Sequence, residues 1–159
     1  MSINHNIEPV FDKNSRILIL GSFPSVKSRE SEFFYGHPQN RFWRVISAIY
    51  GGETPLTTED KKTFLLRNNI ALWDVIASCD IEGSSDSSIK NVKPNDISII
   101  LEEAEIEHIF VNGKTAERYY KKYIFSSIKK EAICLPSTSP ANAAFTTEKL
   151  IEKWSVIRT

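Results

Sequence analysis

The sequence predicts an α/β protein: a three-layer αβα sandwich around a central, mainly parallel, four-stranded sheet. Three observations predict it. Short apolar runs recur at residues 16–20, 70–75, 107–111 and 131–135, each bounded by turn residues. Segments with helical apolar spacing lie between them, and strands that alternate with helices form parallel sheets covered on both faces through right-handed crossovers. Polar stretches rich in Gly, Asn, Ser and Pro follow the runs, at the sheet edge where such folds bind ligands. At 159 residues, 41% hydrophobic and 25% charged, one soluble domain spanning residues 1–159 is expected.

Taken in order, residues 1–15 read as a lead-in broken at Pro9 and Asn14. Ile17, Leu18, Ile19 and Leu20 follow without alternation, as in a strand buried on both faces. The run stops at Gly21, and residues 22–40 are too polar and too interrupted for one regular element. Phe42, Trp43, Ile46, Ile49 and Tyr50 then fall at helical spacing, with Asn40 as the predicted N-cap and Gly51-Gly52 as the stop. Residues 57–69 predict a helix capped by Thr58, and 70–75 a second strand. Residues 77–95 read as a long polar connection, turned at Gly83 and ordered by Ser and Asp side chains. A helix over 96–104, capped by Asn95 or Asp96, leads to a strand over 107–111. Asn112-Gly113 turns that strand into a helix running to about residue 125. A fourth strand over 131–135 precedes a last helix, about 147–157, with Leu150, Ile151, Trp154 and Ile157 on one face. Segments 21–40, 74–91, 112–113 and 136–142 therefore meet at one sheet edge.

Net charge is zero, which speaks against coating nucleic acid by bulk charge. Lys27, Arg29, Arg41 and Arg44 nevertheless gather around the first loop, while Glu102, Glu103, Glu105 and Glu107 cluster elsewhere. No apolar run approaches the ~20 residues of a membrane helix, and the first six residues lack the features of a signal peptide. No membrane partner is expected, and the expected location is the cytoplasm or the nucleoid. Cys79 and Cys134 form no C-x-x-C pair, and His5, His37 and His108 have no ligand spacing, so no metal is predicted. The hydrolase elbow, the P-loop and G-x-G-x-x-G are all absent, so no cofactor is predicted. What remains is neutral polar chemistry beside rings: Asn40, Asn112, Ser137, Ser139 and Asn142 with Phe23, Phe34 and Tyr35. That inventory suits a flat heterocycle stacked on a ring and read along its edge by amides.

Five segments in order, L-G-S-F-P-S, F-Y-G-H-P-Q-N-R-F-W, A-L-W-D-V-I-A-S-C, F-V-N-G-K-T-A and L-P-S-T-S-P-A-N, span nearly the whole chain. On these segments the chain resembles the uracil-DNA glycosylase superfamily, nearest its hypoxanthine-DNA (deoxyinosine) glycosylase branch and next its mismatch-specific uracil-DNA glycosylases. The resemblance implies that superfamily's sandwich fold and a monofunctional, monomeric DNA glycosylase of base excision repair. Such an enzyme hydrolyses the N-glycosidic bond of a deaminated base, hypoxanthine first and uracil second, flipped out of DNA, with no cofactor.

The resemblance also assigns roles. In the superfamily's G-x-[DN]-P motif the water-positioning slot is here Phe23, and the hypoxanthine branch instead takes its catalytic amide from H-P-x-N-R-F-W, which matches Asn40. The His or Asn that often precedes Pro-Ser is here Leu135. Tyr35 matches the ring that stacks on the base, with Gly21, Ser22, Phe23 and Asn112 completing the expected base pocket. Ser137, Thr138, Ser139 and Asn142 match a loop that grips the DNA backbone, and Lys27, Arg41 and Lys114 are expected to meet phosphate. Plainer roles stand beside these. Asn40 could simply cap a helix, Phe23 and Phe34 could be core, His37 could make a structural hydrogen bond, and the cations could be solvated. Two other functions also stay open: a non-catalytic module that binds DNA or a nucleobase, and a hydrolase of free nucleosides.

Overall fold

The computed structural model describes residues 2–5 and 7–158. The chain opens with β1 (Ile3–Asn4), continues through a bridge between Val10 and Leu72, and enters β2 (Ile17–Gly21). After α1 (Val26–Ser31), α2 (Phe42–Tyr50) and α3 (Thr58–Arg67) come β3 (Ile70–Asp74), β4 (Ile76–Asp80) and β5 (Lys90–Pro94). Then follow α4 (Ser98–Glu103), β6 (His108–Asn112), α5 (Lys114–Tyr119), α6 (Phe125–Ile128), β7 (Ala132–Leu135) and α7 (Thr147–Trp154).

The central sheet is parallel throughout, in the order β3-β2-β6-β7. Every residue of β2 and β3 is buried, which explains their uninterrupted apolar sequences: helices cover both faces, so neither face needs polar side chains. The register brings the strand ends level. Gly21 pairs with Asp74, Leu20 with Val111, and Asn112 with Leu135. Gly21, Asp74 and Asn112 therefore stand side by side along the carboxyl edge, the ligand-binding edge of such sheets.

Helix α2 buries Phe42, Trp43, Val45, Ile46 and Ile49, and Phe42 meets the fully buried Trp154 of α7 edge to face at 5.8 Å. Gly51 and Gly52 end α2 with φ of 90° and 97°, a backbone that only glycine adopts without strain.

Several boundaries and one whole region differ from expectation. Residues 77–95 are not a loop: β4 and β5 form an antiparallel hairpin that pairs with β1 into a second sheet, in the order β1-β4-β5, drawing the lead-in into the fold. The hairpin is hard to see because β5 is an exposed edge strand, K-N-V-K-P, whose lysines and proline blunt an otherwise sticky edge. A six-residue helix, α1, capped by Ser25 through the Ser28 N–H, sits inside the stretch read as irregular. The helix after Asn112-Gly113 is broken by a π-helical turn at Tyr120–Ile124. Thr57, not Thr58, caps α3 through Asp60 N–H. Helix α2 begins at Phe42, with Arg41 in the N-cap position making no side-chain cap.

Candidate active site

A cavity of about 440 Å³ opens at the carboxyl edge of the parallel sheet, within the size range of small-ligand sites. Gly21, Ser22, Phe23, Tyr35 and Asn112, the residues expected to bind the base, line it, and so does Asn40, the expected catalytic amide. So do Lys114, Ser137, Thr138 and Ser139.

The amide of Asn40 is held in one orientation. Its Oδ1 accepts from Phe42 N–H at 2.9 Å and from the Thr138 hydroxyl at 2.9 Å. Asn40 thus supplies the first α2 donor with an acceptor from one residue before the cap. Turning the amide over would set its NH2 against the Phe42 N–H, a fixed donor, so that bond fixes the orientation. The NH2 group is left with no protein partner among the described residues, on a side chain that lines the cavity. Helix capping and presentation of a donor to the cavity thus coexist on one side chain, because they use opposite ends of the amide.

Thr138 is the hub behind this amide. Its hydroxyl accepts from Asn112 Nδ2 at 3.0 Å while donating to Asn40. Its N–H donates to Asn112 Oδ1 at 3.0 Å, and its carbonyl accepts from Arg41 N–H at 3.1 Å. Thr138 is fully buried, so the expected DNA contact is corrected: the residue ties β6 and the 136–142 loop to Asn40. Arg41 is corrected likewise. Its guanidinium donates to the carbonyls of Phe145, Ser139 (2.9 Å) and Asn142 (3.1 Å), leaving an internal clamp rather than a free phosphate contact. Side chains of the same loop brace it from within: Ser137 Oγ accepts from Ser139 N–H, and Asn142 Nδ2 donates to Ser137 carbonyl. Asn142 does not line the cavity.

Tyr35 stacks on Phe42 with ring centroids 4.2 Å apart, and only Tyr35 of the two lines the cavity, so the phenol forms its wall over an aromatic backing. Its φ of 52° is left-handed, a costly conformation for a tyrosine of the kind found at functional sites. Phe34 is core. Phe23 packs edge to face on His5 at 5.4 Å beneath Arg29, and lines the cavity. His37 is structural, its Nδ1 accepting from Gln39 N–H at 3.0 Å. Lys114, at the start of α5, is exposed at the mouth, whereas Lys27 lies on α1, outside the lining, 3.7 Å from Glu30.

Two features of the cavity had no role assigned from the sequence, although segment 74–91 was expected at this edge. Asp74, the last residue of β3, is buried and lines the cavity; its Oδ2 and the Tyr35 hydroxyl are both enclosed without a hydrogen-bond partner among the described residues. Burial without a compensating cation pushes the Asp74 carboxyl up to about 7. The Tyr35 hydroxyl is raised too, first by burial and then by Asp74, with Asn112 opposing. Gly21 is what admits them: a Cβ there would stand 2.5 Å from Asp74 Oδ1 and 2.9 Å from the Tyr35 oxygen. The available signal was a lone carboxylate closing the apolar run I-A-L-W-D. The second feature is a strap, Ser84 to Ser87, between β4 and β5, which lines the outer cavity. Val26 N–H donates to Ser84 Oγ at 3.0 Å, and Arg29 donates to Gly83 carbonyl at 2.7 Å, latching it to α1.

Among the described residues no group of three His, Cys, Asp or Glu could hold a metal, and no helix is long and apolar enough to cross a membrane.

Comparison with known proteins bears on the family and the fold. The family model described as the uracil DNA glycosylase superfamily matches residues 8–158. A hypoxanthine DNA glycosylase of Methanosarcina barkeri is 37% identical over 136 residues, covering 84% of this chain and 85% of that protein. One from Methanosarcina acetivorans is 35% identical over 158 residues, covering 98% and 99%. A solution NMR structure from M. acetivorans, described as a candidate uracil DNA glycosylase, superposes with a TM-score of 0.83 at 34% identity, over 99% of this chain and 96% of that one.

Proposed function

Because the chain belongs to the uracil DNA glycosylase superfamily and is a DNA glycosylase, we propose that it removes hypoxanthine from DNA, and uracil more slowly, by hydrolysing the N-glycosidic bond of a base flipped into the cavity at the carboxyl edge of the sheet. Membership decides between an enzyme and a mere binding module in favour of the enzyme. The observation that carries the reading is the fixed amide of Asn40, whose NH2 has no protein partner and lines the cavity. The relatives named hypoxanthine DNA glycosylases support the choice of base.

The chemistry asks little of a nucleophile. As the C1′–N bond breaks, the sugar becomes cationic and the base carries the electron pair, so water need only be positioned while negative charge on the base is stabilised. The Asn40 NH2 is a preorganised donor for that charge. Tyr35, backed by Phe42, offers a stacking face worth ~1–3 kcal/mol, which offsets part of the few kcal/mol needed to extrude a base. A mispaired deaminated base is the cheapest to extrude. Lys114 at the mouth, Ser137 and Ser139 are the groups proposed to meet the DNA backbone.

The test is a duplex carrying one inosine, incubated with the protein and treated with alkali to reveal abasic sites. Cleavage is expected on inosine, slower cleavage on uracil and none on free deoxyinosine. Asn40→Ala is expected to lose ~10²–10³ in single-turnover rate with duplex affinity retained. Release of no base from either duplex overturns the reading, and an Asn40→Ala rate within a few-fold of wild type removes Asn40 from it.

A further inference from the structure

We propose that Asp74 is a catalytic residue: as a neutral carboxyl it donates a hydrogen bond to the lactam oxygen of the departing base, beside the amide of Asn40. The proposal rests on the reading that the base occupies this cavity, and assigns it a second donor.

The geometry leads there by elimination. Asp74 is 3% exposed at the end of β3, the edge strand of the parallel sheet, yet its side chain lines the cavity instead of packing into the core. A buried carboxyl in a finished protein structure is ordinarily paired or saturated with hydrogen bonds. Here Oδ2 has no partner among the described residues, although Asn95 is close enough to donate to the backbone carbonyl of the same residue at 2.9 Å. The neighbouring Tyr35 hydroxyl is equally unsatisfied. Asp74 Oδ1 and the Tyr35 oxygen, both within 3 Å of the space that a Cβ on Gly21 would fill, stand together at the strand-end floor of the cavity. A bound group would meet the carboxyl through Oδ1, the oxygen beside Gly21, and a lactam edge, O=C–N–H, offers it both an acceptor and a donor. A neutral carboxyl matches it with its O–H and C=O; a carboxylate would set negative charge against the oxygen where charge gathers.

Burial favours the neutral carboxyl up to about pH 7. On its own strand the neighbours are Trp73 and Val75; β2 contributes Gly21 with Ser22 after it, β6 contributes Asn112, and the loop before α2 contributes Asn40. The Tyr35 hydroxyl is the one titratable group coupled to it, and that coupling favours neither anion. Lys114 from α5 and Asp86 from the strap also line the cavity, and neither contributes to the Asp74 shift, which comes from burial alone. In the reaction the C1′–N bond breaks with its electron pair passing to the base, and a C1′–O bond forms to water. The water's surplus proton reaches the released base through solvent, and Asp74 keeps its own.

The test is the pH dependence of single-turnover base release from an inosine duplex between pH 5.5 and 8.5. Wild type is expected to be fastest at the acid end and to fall towards tenfold per pH unit well above 7. Asp74→Asn keeps a donor, an acceptor and neutrality, and is expected to turn over at a reduced rate that no longer falls with pH. Asp74→Ala, shown folded by its thermal melt, is expected to lose ~10²–10³ at the acid end, with a rate that does not fall with pH, so that its deficit against wild type narrows towards pH 8.5. A rate that rises through pH 7 and vanishes in Asp74→Asn would mean a carboxylate acting as base and overturns the proposal. So does an alkaline limb that persists in Asp74→Asn. If wild type releases no base at any pH, the reading of the substrate has failed instead. Binding of a duplex carrying 2′-fluorinated deoxyinosine, which resists hydrolysis, then decides: it is expected to weaken above pH 7 in wild type and not in Asp74→Asn, and equal pH dependence in both overturns the proposal.

Discussion

Thr138 carries no charge and reaches no solvent, yet its N–H and both capacities of its hydroxyl are committed to Asn40 and Asn112, and its carbonyl to Arg41 N–H. Thr138→Val keeps the shape and deletes only the hydroxyl. It leaves Asn112 Nδ2 without its acceptor in a part-buried site, at about 1–3 kcal/mol, and frees one of the two restraints on the Asn40 amide. The expected outcome is a modest drop in melting temperature, a single-turnover rate reduced by up to ~10²-fold through misplacement of the donor, unchanged duplex affinity, and recovery in Thr138→Ser. A rate equal to wild type would mean that Phe42 N–H alone holds the amide. Residues like Thr138 and Asp74 are illegible in a single sequence for a physical reason. Asn40 and Tyr35 stand out as polar or aromatic side chains among turn residues, where no core role explains them. Thr138 lies in the run S-T-S, whose residues look alike until burial separates them, and Asp74 closes an apolar strand, where a carboxylate reads as its solvent-facing end.

The clamp made by Arg41 acts at the scale of an element. Three carbonyls, at Phe145, Ser139 and Asn142, converge on one guanidinium, and Trp154 of α7 donates to Pro136 carbonyl at 2.9 Å from the other side. The loop from β7 to α7 has no regular structure of its own, so these bonds substitute for a ladder. Arg41→Ala is expected to destabilise the fold by ~1.5–3 kcal/mol and to make the 137–145 segment the first site of limited proteolysis. Arg41→Lys is expected to rescue little, because an ammonium cannot present the planar fork that three separated carbonyls require. Protease resistance in Arg41→Ala equal to wild type would show the loop to be held by its own serine and asparagine bonds. Element by element, β2 and β3 were legible because burial on both faces leaves unbroken apolar runs. The β4–β5 hairpin was not, because an edge strand is selected to look unlike a strand: Lys90, Lys93 and Pro94 are what keep it from pairing with other chains. The break in the helix after Asn112 was also unreadable, since a π-helical turn inserts an extra residue without changing composition.

At the scale of the molecule, zero net charge has to be reconciled with a polyanionic substrate. Long-range attraction from the whole protein is absent, so affinity must come from local cations and from the extruded base. Lys114 sits exposed at the mouth of the cavity without an ion pair among the described residues, whereas Lys27 on α1 faces Glu30 at 3.7 Å with both side chains more than half exposed. Arg41, spent on the loop clamp, is not available. With so few phosphate contacts the dependence of log K on log salt should be shallow, about −0.9 for each phosphate neutralised. Lys114→Ala is expected to reduce that slope by about 1, and Lys27→Ala by less, because Glu30 already offsets part of its charge. The measurement is fluorescence anisotropy of an inosine duplex across salt, made in the Asn40→Ala background so that the base stays attached. A slope unchanged by Lys114→Ala would move the DNA backbone away from the start of α5. The base would then have to enter across the strap between β4 and β5, whose serines and Asp86 offer no cation to meet a phosphate.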